Sequence, residues 1–189
     1  MFVEENMRQV KRGWIEVISG CMFSGKTEEL IRRLKRVKIA NLNFVVFKPA
    51  IDLRFSESHV VSHDAHSIEA IPVKQAEDML LPAQNADVVG IDEAQFFDEK
   101  IANICEKLAF EGKRVIVAGL DLDFQGKPFG PMPTLLAIAD YATKLHAICM
   151  ICGNIAHISY RKHTGNKDQV LLGEKDIYEP RCRICAVNN

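Results

Sequence analysis

Short apolar runs alternate with helical stretches along most of the chain. Residues 27–40 and 99–110 carry apolar side chains at intervals of three and four, the spacing of one face of an α-helix. The apolar runs that predict strands lie at 14–19, 44–48, 87–91, 114–120 and 145–148. Strands that alternate with helices are typical of a mainly parallel sheet with helices on both faces, so the sequence predicts an α/β fold.

The regular pattern changes near Ala142. Residues beyond this point hold four of the six cysteines, few long apolar runs and many polar turns. A change of composition of this kind is typical of a boundary between a main domain and a small appended one. We therefore predict an N-terminal tail over 1–13, a main α/β domain over 14–142 and a small domain over 143–189.

The segment between the first predicted strand and the first predicted helix matches G-x-x-x-x-G-K-[ST], from Gly20 to Thr27. In this pattern backbone N–H groups enclose phosphate oxygens, and the helix N-terminus adds the positive end of its dipole. We expect Lys26 to contact the β- and γ-phosphates of ATP and the Thr27 hydroxyl to ligate Mg²⁺. Cys21 is interpreted as a packing residue, although a helix N-terminus can lower a thiol pKa and so leaves sensitivity to oxidation open.

An acid pair follows the predicted strand at 87–91. Asp92 and Glu93 stand at its carboxyl end, where proteins with such a phosphate loop hold Mg²⁺ through an aspartate. Asp92 is expected to bind Mg²⁺ directly or through water. Glu93 is expected to face the acceptor as general base, a role that typically contributes about 10²–10⁴-fold to the rate. The two motifs together predict a Mg-ATP phosphotransferase.

Two Cys-x-x-Cys pairs lie in the predicted small domain, Cys149 with Cys152 and Cys182 with Cys185. Two such pairs can supply the four thiolates of a tetrahedral Zn²⁺ site. Redox pairs or disulfides are the alternatives, but the chain shows no export signal, and a reducing cytoplasm favours metal. Because no open ligand position is evident, the sequence predicts a structural zinc ion that stabilises the small domain.

Composition and charge exclude several other classes of protein. The 189 residues are 48% apolar and 26% charged, which indicates a folded soluble chain. The absence of a run of about 18 apolar residues, and of a secretory signal, predicts a cytoplasmic protein without membrane contact. The net charge is −1, and residues 143–189 carry only +3 (7 Lys/Arg against 4 Asp/Glu), so we expect no direct binding of nucleic acid.

In combination, these motifs resemble the cytosolic-type (type II) thymidine kinase family. The resemblance runs from about Trp14 to Cys185; besides the phosphate loop and the cysteine pairs, it rests on Asp92–Phe97, Gly119–Asp121 and Phe124–Gly130. It implies a RecA-like P-loop domain with a small zinc-binding domain, usually assembled as a homotetramer. The implied reaction transfers the γ-phosphate of ATP to the 5′-hydroxyl of thymidine, with feedback binding of thymidine triphosphate. The family usually has proline where Cys21 stands.

The resemblance also implies roles for individual residues. Glu93 is the implied base, and Lys26 and Arg54 are further catalytic residues, with Arg54 able to stabilise charge in the transition state. The residues implied to bind ATP and its metal are Gly20, Cys21, Met22, Phe23, Ser24, Gly25, Lys26, Thr27, Asp52, Asp92, Glu93, Ala94 and Gln95. The residues implied to bind the nucleoside are Met22, Phe96, Phe124, Phe129, Ser159 and Tyr178, with Val170, Leu171, Leu172 and Gly173 in a lasso loop.

Two other function classes fit part of the pattern. Asp92–Gln95 is similar to the acidic box of helicases, and zinc knuckles often bind nucleic acid, as in a nucleic-acid-dependent ATPase. Motor ATPases of that kind need a second RecA-like lobe, which 189 residues cannot hold. A regulatory protein that binds nucleotide without turnover is the other alternative, and Glu93 argues against it because binding alone needs no base.

Overall fold

The computed structural model describes residues 12–51, 59–61, 67–162 and 177–187. Its helices are α1 (Lys26–Ile39), α2 (Lys100–Phe110), α3 (Met132–Ile138) and α4 (Arg183–Val187), with 3₁₀ turns at Ala76–Met79 and Ala94–Phe96. Its strands are β1 (Trp14–Gly20), β2 (Phe44–Pro49), β3 (His59–Val61), β4 (Ser67–Glu69), β5 (Ile71–Val73), β6 (Val88–Ile91), β7 (Arg114–Gly119), β8 (Tyr141–Leu145), β9 (Ala147–Ile148), β10 (Ile155–Ala156), β11 (Ile158–Arg161) and β12 (Tyr178–Arg181).

A parallel sheet forms the centre of the fold. Within the described part of the chain it has six strands in the order β5-β2-β6-β7-β1-β8, and each neighbouring pair is parallel. The other pairs are short and antiparallel: β3 with β4, β9 with β10, and β11 with β12. The predicted parallel sheet between helices is confirmed, and its carboxyl ends meet at one edge, where ligands bind in folds of this kind.

Alternation along the strands creates one core on each face of the sheet. In β1, Val17 points into the core that α2 and α3 cover, whereas Ile18 points into the core that α1 covers. In β7, Val117 and Ile116 divide in the same way. Strands that are apolar on both faces are typical of a parallel sheet that is buried on both sides.

Helix α1 forms where the sequence places an apolar stripe between charged ends. Its buried face consists of Leu30, Ile31, Leu34 and Val37. Acidic side chains stand in its first turn and basic ones in its last turn, which complements the helix dipole. The helix ends where Asn41 adopts a left-handed conformation with φ 55°, and the backbone N–H of Leu42 then donates to the Val37 carbonyl.

The C-terminal part of the sheet differs from the sequence prediction. The run at 145–148 was expected to be one strand, but Leu145 ends β8 and only Ala147–Ile148 form β9, because Leu145 completes the pairing with Gly20 of β1. Helix α3 was not predicted, since seven residues that begin beside prolines are too few to show a helical period. The boundary predicted between residues 142 and 143 falls inside β8, so we propose that the small unit begins after Leu145.

A charged network joins strands and helix at the end of the sheet where β1 begins. Glu16 of β1 is buried, and its carboxylate accepts hydrogen bonds from Arg33 of α1 at 2.7 Å, from Arg114 of β7 at 2.6 Å and from the Trp14 indole at 2.7 Å. Arg33 also donates to Thr143 of β8. Burial alone would raise the pKa of Glu16, but the hydrogen bonds, that of Arg114 above all, outweigh it and lower the pKa.

No helix within the described ranges is long and apolar enough to cross a membrane.

We expect Glu16→Gln to destabilise the protein at pH 7 by roughly 2 kcal/mol, because it removes the charge that Arg33 and Arg114 face in a largely buried setting. A carboxyl whose pKa is lowered by folding contributes stability that is full above its unfolded pKa and is lost as the pH falls through the folded pKa. The difference in thermal unfolding between wild type and variant should therefore narrow below about pH 4. A difference that is constant with pH would contradict this account.

Candidate active site

The phosphate loop connects β1 to α1. Gly20 ends β1 beside β8, and a Cβ at this position would lie 2.4 Å from the Leu145 carbonyl oxygen, so only glycine fits. Gly25 precedes the helix with φ 84° and ψ 22°, a left-handed conformation that favours glycine. Because the N-cap residue Gly25 has no side chain, it makes no side-chain cap, an arrangement that suits anion binding at a helix N-terminus.

Lys26 and Thr27 begin α1 and lie close to the carboxyl end of β6. The Lys26 ammonium donates to the Cys21 carbonyl across the loop at 2.8 Å. The Thr27 hydroxyl donates to Asp92 Oδ2 at 3.1 Å, although β7 separates β1 from β6 in the sheet. The structure thus brings the phosphate loop and the acid pair into one site.

Burial shifts the titration of both charged groups at this junction. Removal from water lowers the pKa of Lys26, against the opposing effect of the Glu93 and Asp92 carboxylates. Burial, and then the negative charge of Glu93, raise the pKa of Asp92 to about 7. A divalent cation would favour the ionised form of Asp92, and an anion would favour charged Lys26. The site therefore suits a ligand that carries charges of both signs, such as a metal–phosphate complex.

Glu93 directly follows Asp92 and has an uncommon backbone conformation. Its φ of 52° and ψ of 41° are left-handed, and its N–H donates to Asp92 Oδ1 at 3.0 Å. Its carboxylate accepts a hydrogen bond from the Gln95 side-chain amide, whose oxygen accepts from the backbone N–H of Leu120 at 2.8 Å. The carboxylate is thereby fixed relative to the ends of β6 and β7.

The small C-terminal unit contacts the phosphate loop directly. The backbone N–H of Met22 donates to the Ser159 hydroxyl oxygen of β11 at 3.0 Å, and the Cys21 thiol donates to the Ala156 carbonyl at 3.5 Å. Cys21 is only 1% exposed, as its interpretation as a packing residue requires. Burial raises the pKa of this thiol, whereas reactive thiols have a lowered pKa.

The predicted pocket aromatics form two groups. Phe96 and Phe129 meet edge to face with ring centres 5.7 Å apart. Phe124 and Tyr178 share Arg161, whose guanidinium lies 3.6 Å from the Phe124 ring centre and donates to the Tyr178 hydroxyl. Arg161 is buried and was missed in the sequence, although the period-two alternation of a strand places it on the same side as Ser159.

The four paired cysteines converge on one point. The sulfurs of Cys149, Cys152, Cys182 and Cys185 all lie within 4.8 Å of one another, and those of Cys152 and Cys182 are 3.7 Å apart. A tetrahedral zinc site with Zn–S bonds of about 2.3 Å requires sulfurs about 3.8 Å apart. The backbone N–H of Cys185 donates to the Cys182 sulfur and is the main cause of the lowered pKa of that thiol. All four are free thiols, so this donor set fits a zinc ion.

Comparison with known proteins identifies the family of this chain. The family model described as thymidine kinase matches residues 13–186. The chain belongs to the thymidine kinase family. The resemblance seen in the sequence is therefore confirmed over nearly the whole chain.

Individual relatives agree with the family match. The thymidine kinase of Bacteroides thetaiotaomicron is 56% identical over 186 residues, covering 98% of this chain and 93% of the relative. That of a Rhodothermus species is 58% identical over 173 residues, covering 92% and 81%. Among solved structures, domain III of the Thermotoga maritima replication initiation protein DnaA aligns over 72% of this chain and 56% of that chain at 14% identity, with a TM-score of 0.43.

Some residues assigned from the resemblance to this thymidine kinase family cannot be placed. Asp52 and Arg54 lie outside the described residues, as do Val170, Leu171, Leu172 and Gly173 of the expected lasso loop. The other assigned residues lie at or near the carboxyl ends of β1, β6 and β7 and in the adjoining small unit. Their roles in binding and catalysis stay predictions.

We expect the purified protein to contain about one zinc ion per chain, because four thiolates complete a tetrahedral site. Elemental analysis would measure this ratio. Cys182→Ser should reduce the zinc content and the melting temperature, since metal binding contributes to folding. Cys105→Ala is the matched control, because Cys105 lies on the buried face of α2, in a different core cluster from the paired cysteines, and its loss should leave the zinc content unchanged. A folded, zinc-free protein with disulfides at these positions would contradict the prediction.

Proposed function

We propose that the protein transfers the γ-phosphate of ATP to the 5′-hydroxyl of thymidine and releases ADP and thymidine monophosphate. The observation that carries this proposal is the hydrogen bond between Thr27 and Asp92, because it joins the phosphate loop to the acid pair that contains Glu93. Membership of the thymidine kinase family supports thymidine as the acceptor. The relatives that bear this name extend over nearly the whole chain, which supports the complete reaction.

The loop and the start of α1 hold the nucleotide. Backbone N–H groups between Gly20 and Thr27, apart from the Met22 N–H that donates to Ser159, surround the phosphates, and the Lys26 ammonium, which lies against the loop, contacts their oxygens. The Thr27 hydroxyl and the Asp92 carboxylate are oxygen ligands of the kind that Mg²⁺ prefers. When bound, the metal neutralises charge on the phosphates. Asp52 and Arg54 are proposed to flank the same phosphates.

Glu93 is the general base in this proposal. Its carboxylate takes the proton of the 5′-hydroxyl while that oxygen forms its bond to the γ-phosphorus. The bond from the γ-phosphorus to the β–γ bridging oxygen breaks, and the electron pair leaves with ADP. Glu93 is suited to this role because its carboxylate is fixed beside Asp92, so the base stands next to the residue that holds the metal.

The nucleoside is proposed to bind among the aromatic side chains beside the loop, with the segment 170–173 as its lasso. Aromatic faces stack on bases, an interaction worth about 1–3 kcal/mol per base. Phe124 and Tyr178 are held by the buried Arg161, and Phe96 packs against Phe129, so these rings are ordered in advance. Ser159 accepts from Met22 through its oxygen and retains a hydroxyl proton for a base.

Three finer features rest on the resemblance to type II thymidine kinases. They are a homotetrameric assembly, a cytoplasmic location and feedback inhibition by thymidine triphosphate. Feedback inhibition is chemically consistent with one site that accepts both thymidine and a triphosphate, because thymidine triphosphate contains both groups.

The deciding experiment measures product formation from ATP, Mg²⁺ and thymidine. Wild-type protein should form ADP and thymidine monophosphate in equal amounts. Glu93→Gln should bind ATP normally and lose about 10²–10⁴-fold in turnover, because the amide cannot accept the proton. Glu106→Gln, at an exposed position on α2, is the matched control and should keep full activity.

The contrasting variant is Lys26→Ala, which should weaken ATP binding as well as turnover because it removes the cation from the phosphate site. Lys35→Ala, on the exposed face of α1, is its control. An ATPase stimulated by DNA or RNA and indifferent to thymidine would overturn the proposal in favour of the nucleic-acid-dependent alternative.

The contact between the small unit and the loop predicts a separate effect. Ser159→Ala leaves the Met22 N–H without its acceptor, so the free loop is less ordered and ATP binding must supply that ordering. A difference of about 1 kcal/mol corresponds to roughly fivefold weaker ATP binding. Ser159→Thr keeps a hydroxyl and should bind ATP as the wild type does. Calorimetric titration with ATP in the absence of thymidine measures both, and equal affinity of the Ala variant and the wild type would exclude this role.

A further inference from the structure

Gln95 differs from the other residues of the acidic motif in its surroundings. It lies in the 3₁₀ turn after Glu93, and only 2% of its surface is exposed. The resemblance assigned it to nucleotide binding together with Asp92, Glu93 and Ala94. A side chain buried to this degree has little surface to offer a phosphate or a nucleoside.

Both ends of the Gln95 amide have partners in the protein. Its oxygen accepts the backbone N–H of Leu120 at 2.8 Å, and its nitrogen donates to Glu93 Oε2. The orientation of the amide follows from chemistry, because a backbone N–H can only donate and must therefore face the amide oxygen. The NH₂ group then points at the Glu93 carboxylate, which in its ionised form accepts hydrogen bonds and cannot donate them.

The surrounding backbone reserves space for this side chain. A Cβ on Gly119, at the end of β7, would lie 3.0 Å from the Gln95 amide oxygen and 2.6 Å from the Met132 sulfur. A Cβ on Gly130 would lie 2.4 Å from the Gln95 carbonyl oxygen. Two close approaches by glycine thus hold residue 95 between β7 and the chain that leads into α3.

The backbone of Glu93 indicates why such a support is needed. A left-handed conformation costs a residue with a Cβ free energy and persists only where its surroundings determine it. The Asp92 carboxylate accepts from the Glu93 N–H, and the Gln95 amide donates to the Glu93 side-chain carboxylate, so both the backbone and the side chain of Glu93 are held. Because Leu120 directly follows β7, the amide connects the base, which follows β6, to the end of a second strand.

We infer that Gln95 is the positioning residue of Glu93, and that it acts on the chemical step through Glu93 instead of binding ATP. This inference rests on the proposed function, in which Glu93 is the base. Loss of the amide removes a hydrogen bond that orients the carboxylate toward the acceptor hydroxyl. Misplacement of a catalytic group by about 1 Å can cost on the order of 10²-fold in rate.

The experiment compares steady-state kinetics of wild type, Gln95→Leu and the control Gln84→Leu, whose side chain is exposed. The Gln95 variant keeps the side-chain volume but removes both hydrogen bonds. Its kcat should fall about 10–100-fold while KM for ATP and for thymidine stays within about threefold of wild type. A higher KM for ATP with unchanged kcat, as expected of a nucleotide contact, would overturn the inference.

A double variant separates positioning from a general loss of structure. Once Glu93→Gln has removed the base, adding Gln95→Leu should lower kcat no further, because the two residues act as one unit. A further fall of the full 10–100-fold would mean that Gln95 acts independently of Glu93, against the inference.

Gln95→Glu provides a second variant that is close in size and can still accept from Leu120, so the test does not depend on the folding of Gln95→Leu. An ionised carboxylate at this position cannot donate to Glu93, so kcat should fall about 10–100-fold while both KM values stay within about threefold of wild type. A kcat equal to that of the wild type would count against the inference, whereas wild-type protein inactive on thymidine would reject the proposed function itself.

Discussion

The site depends on the close approach of two strands at Gly20. β1 lies between β7 and β8, and at its last residue the Leu145 carbonyl of β8 occupies the space that a side chain would need. Beyond this junction, β1 continues into the phosphate loop and β8 continues into the small cysteine-bearing unit. The parallel sheet, the phosphate loop and the four-cysteine cluster are thus connected through one crowded position.

Much of this arrangement follows from sequence patterns with a direct physical basis. Apolar runs bounded by turns located β1, β2, β6 and β7, because strands buried on both faces must be apolar throughout. The spacing of leucine and isoleucine at three and four residues located α1 and α2, because a helix that is buried on one face repeats its apolar residues at that interval. The two cysteine pairs are separated by 29 intervening residues. The sequence predicts that they meet because four sulfurs can share one ion, and they do meet.

Other features could not be read from the sequence because they arise from tertiary contacts. β8 is partly exposed at the edge of the sheet, so it shows no apolar run. The contact between Met22 and Ser159 joins residues 137 positions apart, and no local pattern records it. Arg161 looks like an ordinary surface cation, yet it is buried between two aromatic rings. In the sequence, Gln95 is part of a motif that predicts nucleotide binding. Only its hydrogen bonds to Glu93 and Leu120, seen in the structure, distinguish its role from those of the neighbouring residues.

The left-handed backbone at Glu93 has a consequence for how this protein tolerates change. Glycine adopts such a conformation without strain, so glycine would relieve the backbone strain at this position. With Glu93 as the proposed base, selection for an unstrained backbone and selection for turnover oppose each other at a single residue. A relative that no longer phosphorylates nucleosides could gain thermal stability by replacing Glu93. The absence of this acid in such a relative would then indicate that the activity had been lost.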